Sequence, residues 1–235
     1  MTGLGLFLVA AVMLVPALLI AIPLHEMGHA AAAYLLGDRS VRYFGYFTWN
    51  PRRFLDPLGV IAVFIALVGW GKKVPVQPNR ISSMGQKVLY ELGGPAANLV
   101  AAVIVGVILR VLHGAGNEPS ISSPVGILTY LLFAIWFLNV SIFAFQLLPI
   151  PGLDGWDMVE ALFRNRNPKF FFSVSTRRRE IWIGAIVVIF IGSVFRVPVL
   201  SLVMSPFFTP ASLISLGTCM GYGVPGFNAL APCLL

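Results

Sequence analysis

The sequence predicts an all-α polytopic membrane protein, a bundle of about five to six transmembrane or re-entrant helices with a small interfacial β element. Three observations predict it. Only 11% of the 235 residues are charged and 58% are hydrophobic, whereas a soluble domain carries about 25% charged residues. The mean hydropathy is +0.88. The apolar residues are gathered into long uncharged runs parted by short polar or basic segments, the pattern of helices that satisfy their own backbone groups in lipid.

Taken in order, residues 4–36 form an apolar stretch that reaches roughly 50 Å as a helix, enough to cross a ~30 Å hydrocarbon core. A signal peptide is not expected there, because a basic leading region is missing and the run is too long. Pro16 and Pro23 are expected to weaken or kink the helix. Residues 37–57 are polar and rich in aromatics, and the alternation from Val41 to Trp49 predicts strands or an interfacial hairpin. Residues 58–70 are apolar but span only about 20 Å as a helix, which suits a re-entrant or tilted segment. Residues 72–85, with Pro75 and Pro78, read as an extended loop.

Two clear spans follow at 88–112 and 125–148, the second halted by Pro149 and Pro151. A final helix pair is expected at 181–195 and 199–216, joined at Arg196-Val197-Pro198, with an irregular tail over 217–235. Residues 1–216 thus read as a single membrane-embedded domain, with a core at about 4–160 and the extra pair at about 181–216.

The net charge of +7, from 16 Lys and Arg against 9 Asp and Glu, fits basic loops facing an anionic membrane surface and gives no support to a nucleic-acid partner. Eight basic residues lie in 39–87 and six in 164–179, and none lies before the first span or in 113–124. The positive-inside rule then places the N-terminus outside and the 37–87 and 155–180 regions in the cytoplasm, provided that 58–70 does not cross. Cys219 and Cys233 lie in the tail, away from any partner at ligand spacing, so neither a disulfide framework nor a metal knuckle is expected. Cys233 is third from last, which excludes a prenylation box.

Ionisable residues inside apolar spans are costly, so they mark function. His25-Glu26-Met27-Gly28-His29 falls at the inner end of the first span. Positions i and i+4 share one helix face, so both imidazoles can grip one Zn²⁺ while Glu26 reaches its water as general base. A catalytic zinc wants a third protein ligand. His113 lies at the far, outer end of its span. Asp154 follows Pro149 and Pro151 near the cytoplasmic face and reads either as that ligand or as a turn or cap aspartate. Asn98, in Gly94-x-x-x-Asn98, reads either as an interhelical hydrogen bond or as a polar group of the site.

The combination of HEMGH, GGPAANL and LLPIPGLDG resembles the site-2 protease family of intramembrane zinc metalloproteases, over roughly residues 20–160. The small prokaryotic members are the most similar, with comparable stretches at Asn50-Pro51, Asp56-Pro57-Leu58-Gly59 and Lys73-Val74-Pro75-Val76. The resemblance implies that His25, His29 and Asp154 bind Zn²⁺ and that Glu26 is the catalytic base. It also implies a multi-pass enzyme, with its site toward the cytoplasm of the cell membrane, that cuts transmembrane protein substrates in the lipid bilayer. The family commonly has Asn where Gln146 stands, eight residues before the metal-binding Asp, and Gly where Trp156 stands. Gln146 and Asn98 are therefore the candidates for holding substrate backbone or a developing oxyanion. Extended substrate would pair with an edge at 42–49 or 73–76. A metal-ion transporter or channel and a catalytically silent scaffold are the alternative functions. The oligomeric state is not set by the sequence.

Overall fold

A computed structural model describes residues 3–77, 79–116, 122–195 and 199–217. The expected tail, both cysteines and the joint at 196–198 lie outside the described residues. Ten helices are described: α1 (Gly3–Leu35), α2 (Ser40–Tyr43), α3 (Pro51–Phe54), α4 (Pro57–Ala66), α5 (Met84–Gly114), α6 (Pro124–Gln146), α7 (Asp154–Phe163), α8 (Pro168–Thr176), α9 (Arg178–Val194) and α10 (Val199–Leu216). Among the described residues four helices are long and apolar enough to cross a membrane: α1 over 11–35, α5, α6 and α10.

Helix starts follow local chemistry. Ser83 and Gln86 form a reciprocal capping box at α5, with hydrogen bonds of 3.2 and 3.1 Å. Ser123 caps α6 ahead of Pro124, and Asp56 caps α4 ahead of Pro57 by accepting from the Leu58 and Gly59 amides. Pro16 and Pro23 both lie within α1, whose helix continues past each of them.

The bundle centre is α1, α5 and α6, packed pairwise, with α10 against α5 and α6. Along α5, Tyr90, Gly94, Asn98, Ala102, Gly106 and Leu109 are buried. Val100, Ile104, Val107 and Val111 are exposed at helical spacing on another face. Small and polar groups thus face inward and branched apolar ones outward, as expected where lipid is the solvent. A Cβ on Gly93 would lie 2.7 Å from the Gly28 carbonyl oxygen and 2.7 Å from Ala32 Cβ, so α1 and α5 cross backbone against backbone. At the far end a Cβ on Gly106 would strike the Ser215 carbonyl of α10, and Trp136 of α6 donates its indole N–H to Ser215 Oγ at 2.8 Å.

The short apolar helix α4 spans ten residues and the chain turns back after it. Leu67 ends it in the left-handed conformation, φ 56°, which costs a non-glycine residue roughly 1 kcal/mol. The chain then runs back along the helix so closely that a Cβ on Gly59 would meet the Trp70 carbonyl. Leu55 and Gly71 form an antiparallel bridge, and the Lys72 amide donates to the Phe54 carbonyl at 2.7 Å. Entry and exit of this segment therefore lie side by side. The segment doubles back on itself, the path that a re-entrant element would take.

The expected interfacial β element is not found at 42–49. Residues 40–43 are helix α2, followed by turns in which the Gly45 amide bonds the Arg42 carbonyl at 3.0 Å and the Tyr46 amide bonds Val41 at 3.1 Å. Gly45 has φ +73°, which breaks an extended run. Among the described residues no strand forms, only isolated bridges. Residues 72–77 remain extended as a strap. It is fixed where Asp38 accepts from the Gln77 amide at 2.7 Å and where the Tyr90 hydroxyl donates to the Val74 carbonyl at 2.8 Å.

Candidate metal centre

His25, Glu26 and His29 lie in the last third of α1, all buried. Asp154 reaches them as the first residue of α7. Between α6 and α7 the chain bends through Pro149, Pro151 and Gly152, the last at φ +119°, a backbone position that suits glycine. The next glycine has a different task. A Cβ on Gly155 would strike the Leu147 carbonyl, so the Asp-Gly pair lets α7 begin pressed against the end of α6. The pair starts a helix and does not form a free turn.

Three of these side chains, His25, His29 and Asp154, converge. His25 Nε2 and His29 Nε2 are 3.1 Å apart, and Asp154 Oδ2 lies 3.0 Å from the first and 3.1 Å from the second. Neighbours fix which ring nitrogens carry hydrogen. His29 Nδ1 lies 2.9 Å from the Tyr90 carbonyl, which can only accept. His25 Nδ1 lies 2.7 Å from Asn98 Oδ1. The Asn98 amide is oriented by donating to the Ala21 carbonyl at 3.0 Å and to Asn139 Oδ1 at 2.8 Å. Both Nδ1 atoms therefore donate, and both neutral rings turn a lone pair toward the Asp154 carboxylate.

With both rings neutral, three acceptors face one another. This donor set suits a cation, and two imidazoles with a carboxylate suit zinc. Further observations fit. A Cβ on Gly94 would lie 2.7 Å from His25 Nε2 and would also strike His29 Nε2, so this glycine keeps α5 off the cluster. Glu26 Oε2 is buried without a hydrogen-bond partner, and Oε1 rests against Gly71 of the re-entrant segment. A buried carboxylate oxygen left unpaired here is available as a proton acceptor.

Asn98 lies behind His25, with its oxygen on His25 and both amide hydrogens on Ala21 and Asn139. Gln146 is buried in the last turn of α6, and no described hydrogen bond joins it to the cluster. Trp156 packs on Phe171 of α8, ring centroids 5.6 Å apart. His113 lies in the last turn of α5, on the far side of that helix from Tyr90 and Gly94 along its axis.

Sequence patterns leave out Asn139 and Tyr90, and place Lys73 only in the 73–76 stretch and not beside Asp154. Asn139 was open to discovery, as a polar residue inside an apolar span. Tyr90 acts through its carbonyl, which no side-chain pattern reveals. Lys73 Nζ lies 3.6 Å from Asp154 Oδ1 and 3.5 Å from Glu91 Oε2 and is hydrogen-bonded to Asp157. Partial desolvation lowers the proton affinity of this half-exposed ammonium, but Glu91, Asp154 and Asp157 outweigh that and shift its pKa upward.

Known proteins are similar to this chain over much of its length. The chain is 36% identical over 151 residues to the Bacillus subtilis (strain 168) protein named "Putative zinc metalloprotease YwhC", covering 63% of this chain and 68% of that protein. It is 36% identical over 148 residues to "Putative zinc metalloprotease Rip2" of Mycolicibacterium smegmatis, and 34% identical over 160 residues to the protein of that name in Mycobacterium tuberculosis H37Rv. These matches cover 60% and 65% of this chain but only 54% and 58% of those two proteins. No family model and no solved structure matches the chain.

Proposed function

The chain belongs to the site-2 protease family of zinc metalloproteases, and from that premise we propose that it is an intramembrane endopeptidase cutting peptide bonds in or near the transmembrane segments of other membrane proteins. The observation that carries the proposal is the convergence of three buried acceptors, His25 Nε2, His29 Nε2 and Asp154 Oδ2, beside the unpaired Oε2 of Glu26. Zinc held by those three atoms supplies Lewis acidity to a water molecule and to the scissile carbonyl. Glu26 takes the proton from the attacking water on Oε2 and returns it to the leaving amine nitrogen, so that the C–O bond forms as the C–N bond breaks. Asn98 and Tyr90 hold both imidazoles with Nε2 turned inward.

A transmembrane substrate helix hides its carbonyls in its own hydrogen bonds and must unwind to be cut. With 42–49 folded as helix and turns, the extended strap at 72–77 is the backbone segment available to receive it by edge pairing. The charge distribution supports a site facing the cytoplasm of the cell membrane. A transport role would call for further stations of polar ligands. Among the described residues His25, His29 and Asp154 form the only such group.

The test compares zinc content and cleavage of a model transmembrane substrate for wild type and Glu26→Gln. Wild type should hold zinc and cleave, and Glu26→Gln should hold zinc and not cleave. A wild type without zinc, or an active Glu26→Gln, would overturn the proposal.

A further inference from the structure

Asp154 uses its two oxygens differently. Oδ2 faces both imidazoles, at 3.0 and 3.1 Å, and Oδ1 turns the other way, 3.6 Å from Lys73 Nζ. The position of that ammonium is set by groups other than Asp154. Glu91 Oε2 of α5 lies 3.5 Å away, and Asp157 of α7 is hydrogen-bonded to it and is held from its far side by Arg178 Nη2 of α9, at 2.9 and 3.0 Å. The backbone beneath Lys73 is also pinned. The Lys72 amide bonds Phe54, and the Val74 carbonyl receives the Tyr90 hydroxyl.

We propose that Lys73 is a positioning residue for the metal ligand Asp154, holding Oδ1 aside so that Oδ2 alone faces the imidazoles. A carboxylate offering both oxygens would take up coordination that a hydrolytic zinc must leave open for water. Outer partners of this kind set the orientation of a ligand and the affinity of its metal. The inference rests on the zinc reading above. It also differs from an ordinary stabilising ion pair. The Lys73 side chain is 44% exposed and Asp154 is 2% exposed, so solvent screens the contribution of Lys73 to folding. Orientation of the Asp154 carboxylate, by contrast, acts on the bound metal. The effect should therefore be read at the metal and not in the melting temperature.

The test uses the full-length protein in detergent, loaded with zinc and competed with a chelator, with the absorption spectrum of the cobalt-substituted protein as a second readout. Lys73→Met should weaken zinc retention by roughly 10–100-fold, change the cobalt spectrum and leave the melting temperature of the zinc-free protein in place. Lys73→Arg, which keeps the charge and the donors, should restore most of the affinity. Should Lys73→Met fail to accumulate, Lys73→Gln carries the same test without the charge. Wild-type retention in the uncharged variant would overturn the inference, as would an equal loss in Lys73→Arg. Absence of zinc from the wild type would instead overturn the zinc reading itself.

Discussion

Gly94 of α5 faces His25 of α1 so closely that a Cβ on the glycine would lie 2.7 Å from the imidazole Nε2. The neighbouring Gly93 makes the backbone contact with Gly28. Two adjacent glycines thus divide the work, one drawing the helices together and the other leaving the space that the metal cluster fills.

Gly94→Ala should therefore abolish zinc binding while the helices stay assembled. An affinity loss of roughly 100-fold or more is expected, read by chelator competition, with a circular dichroism spectrum like that of wild type. Gly93→Val should instead separate α1 from α5 and lower stability by about 1–3 kcal/mol. Zinc binding in Gly94→Ala equal to wild type would contradict the placement of this glycine.

Asn98→Ala leaves the His25 Nδ1–H without its acceptor and Asn139 Oδ1 without its donor. Zinc affinity should fall about 10–100-fold, and at saturating zinc much of the activity should return. A variant that stays inactive when fully loaded would point to Asn98 acting on the substrate.

Asp38 tethers the strap through the Gln77 amide at 2.7 Å and Ser40, whose hydroxyl and amide donate at 2.6 and 3.1 Å. Burial raises the pKa of this carboxyl, but the three donors hold it below its usual value. A folded pKa below the unfolded one gives stability that is fully present above the unfolded carboxylate range and is lost as the pH falls through the folded pKa. Hydrogen exchange at the Gln77 amide should therefore be slow at neutral pH and lose protection in acid. In Asp38→Ala that amide should exchange roughly 30-fold faster at neutral pH, for a loss of about 2 kcal/mol, with no further loss of protection on acidification.

The re-entrant path of α4 predicts labelling from a single side. With Cys219 and Cys233 replaced by Ser, single cysteines at positions 56 and 72 in sealed vesicles should both react with an impermeant maleimide from the same face. Reaction from opposite faces would show that the segment crosses.

Much of the site was legible because its chemistry is local in sequence. The four-residue spacing of His25 and His29 fixes a shared helix face, and the apolar surroundings make a solvated role expensive. Asp154 was legible as a carboxylate at the right depth. Its helix-starting geometry was not, because it depends on the Gly155 contact with Leu147. Asn98 could be read as polar and inward, but spacing alone does not say whether an inward amide meets a ligand or a substrate. Lys73 sits in a strap without periodicity, and its partners come from α5 and α7. The strand expected at 42–49 failed for a related reason: alternation describes a chain that has found a partner strand, and here the turns around Gly45 close first.

The metal ligands lie 125 residues apart in the chain, His29 on α1 and Asp154 at the start of α7. During synthesis, while only α1 to α6 have been delivered to the bilayer, the two imidazoles lack their carboxylate. On the zinc reading, an unfinished copy is inert toward the nascent membrane proteins around it. On that reading the ligand set is complete only when the chain has turned the corner at Pro149 and Pro151 and α7 has docked.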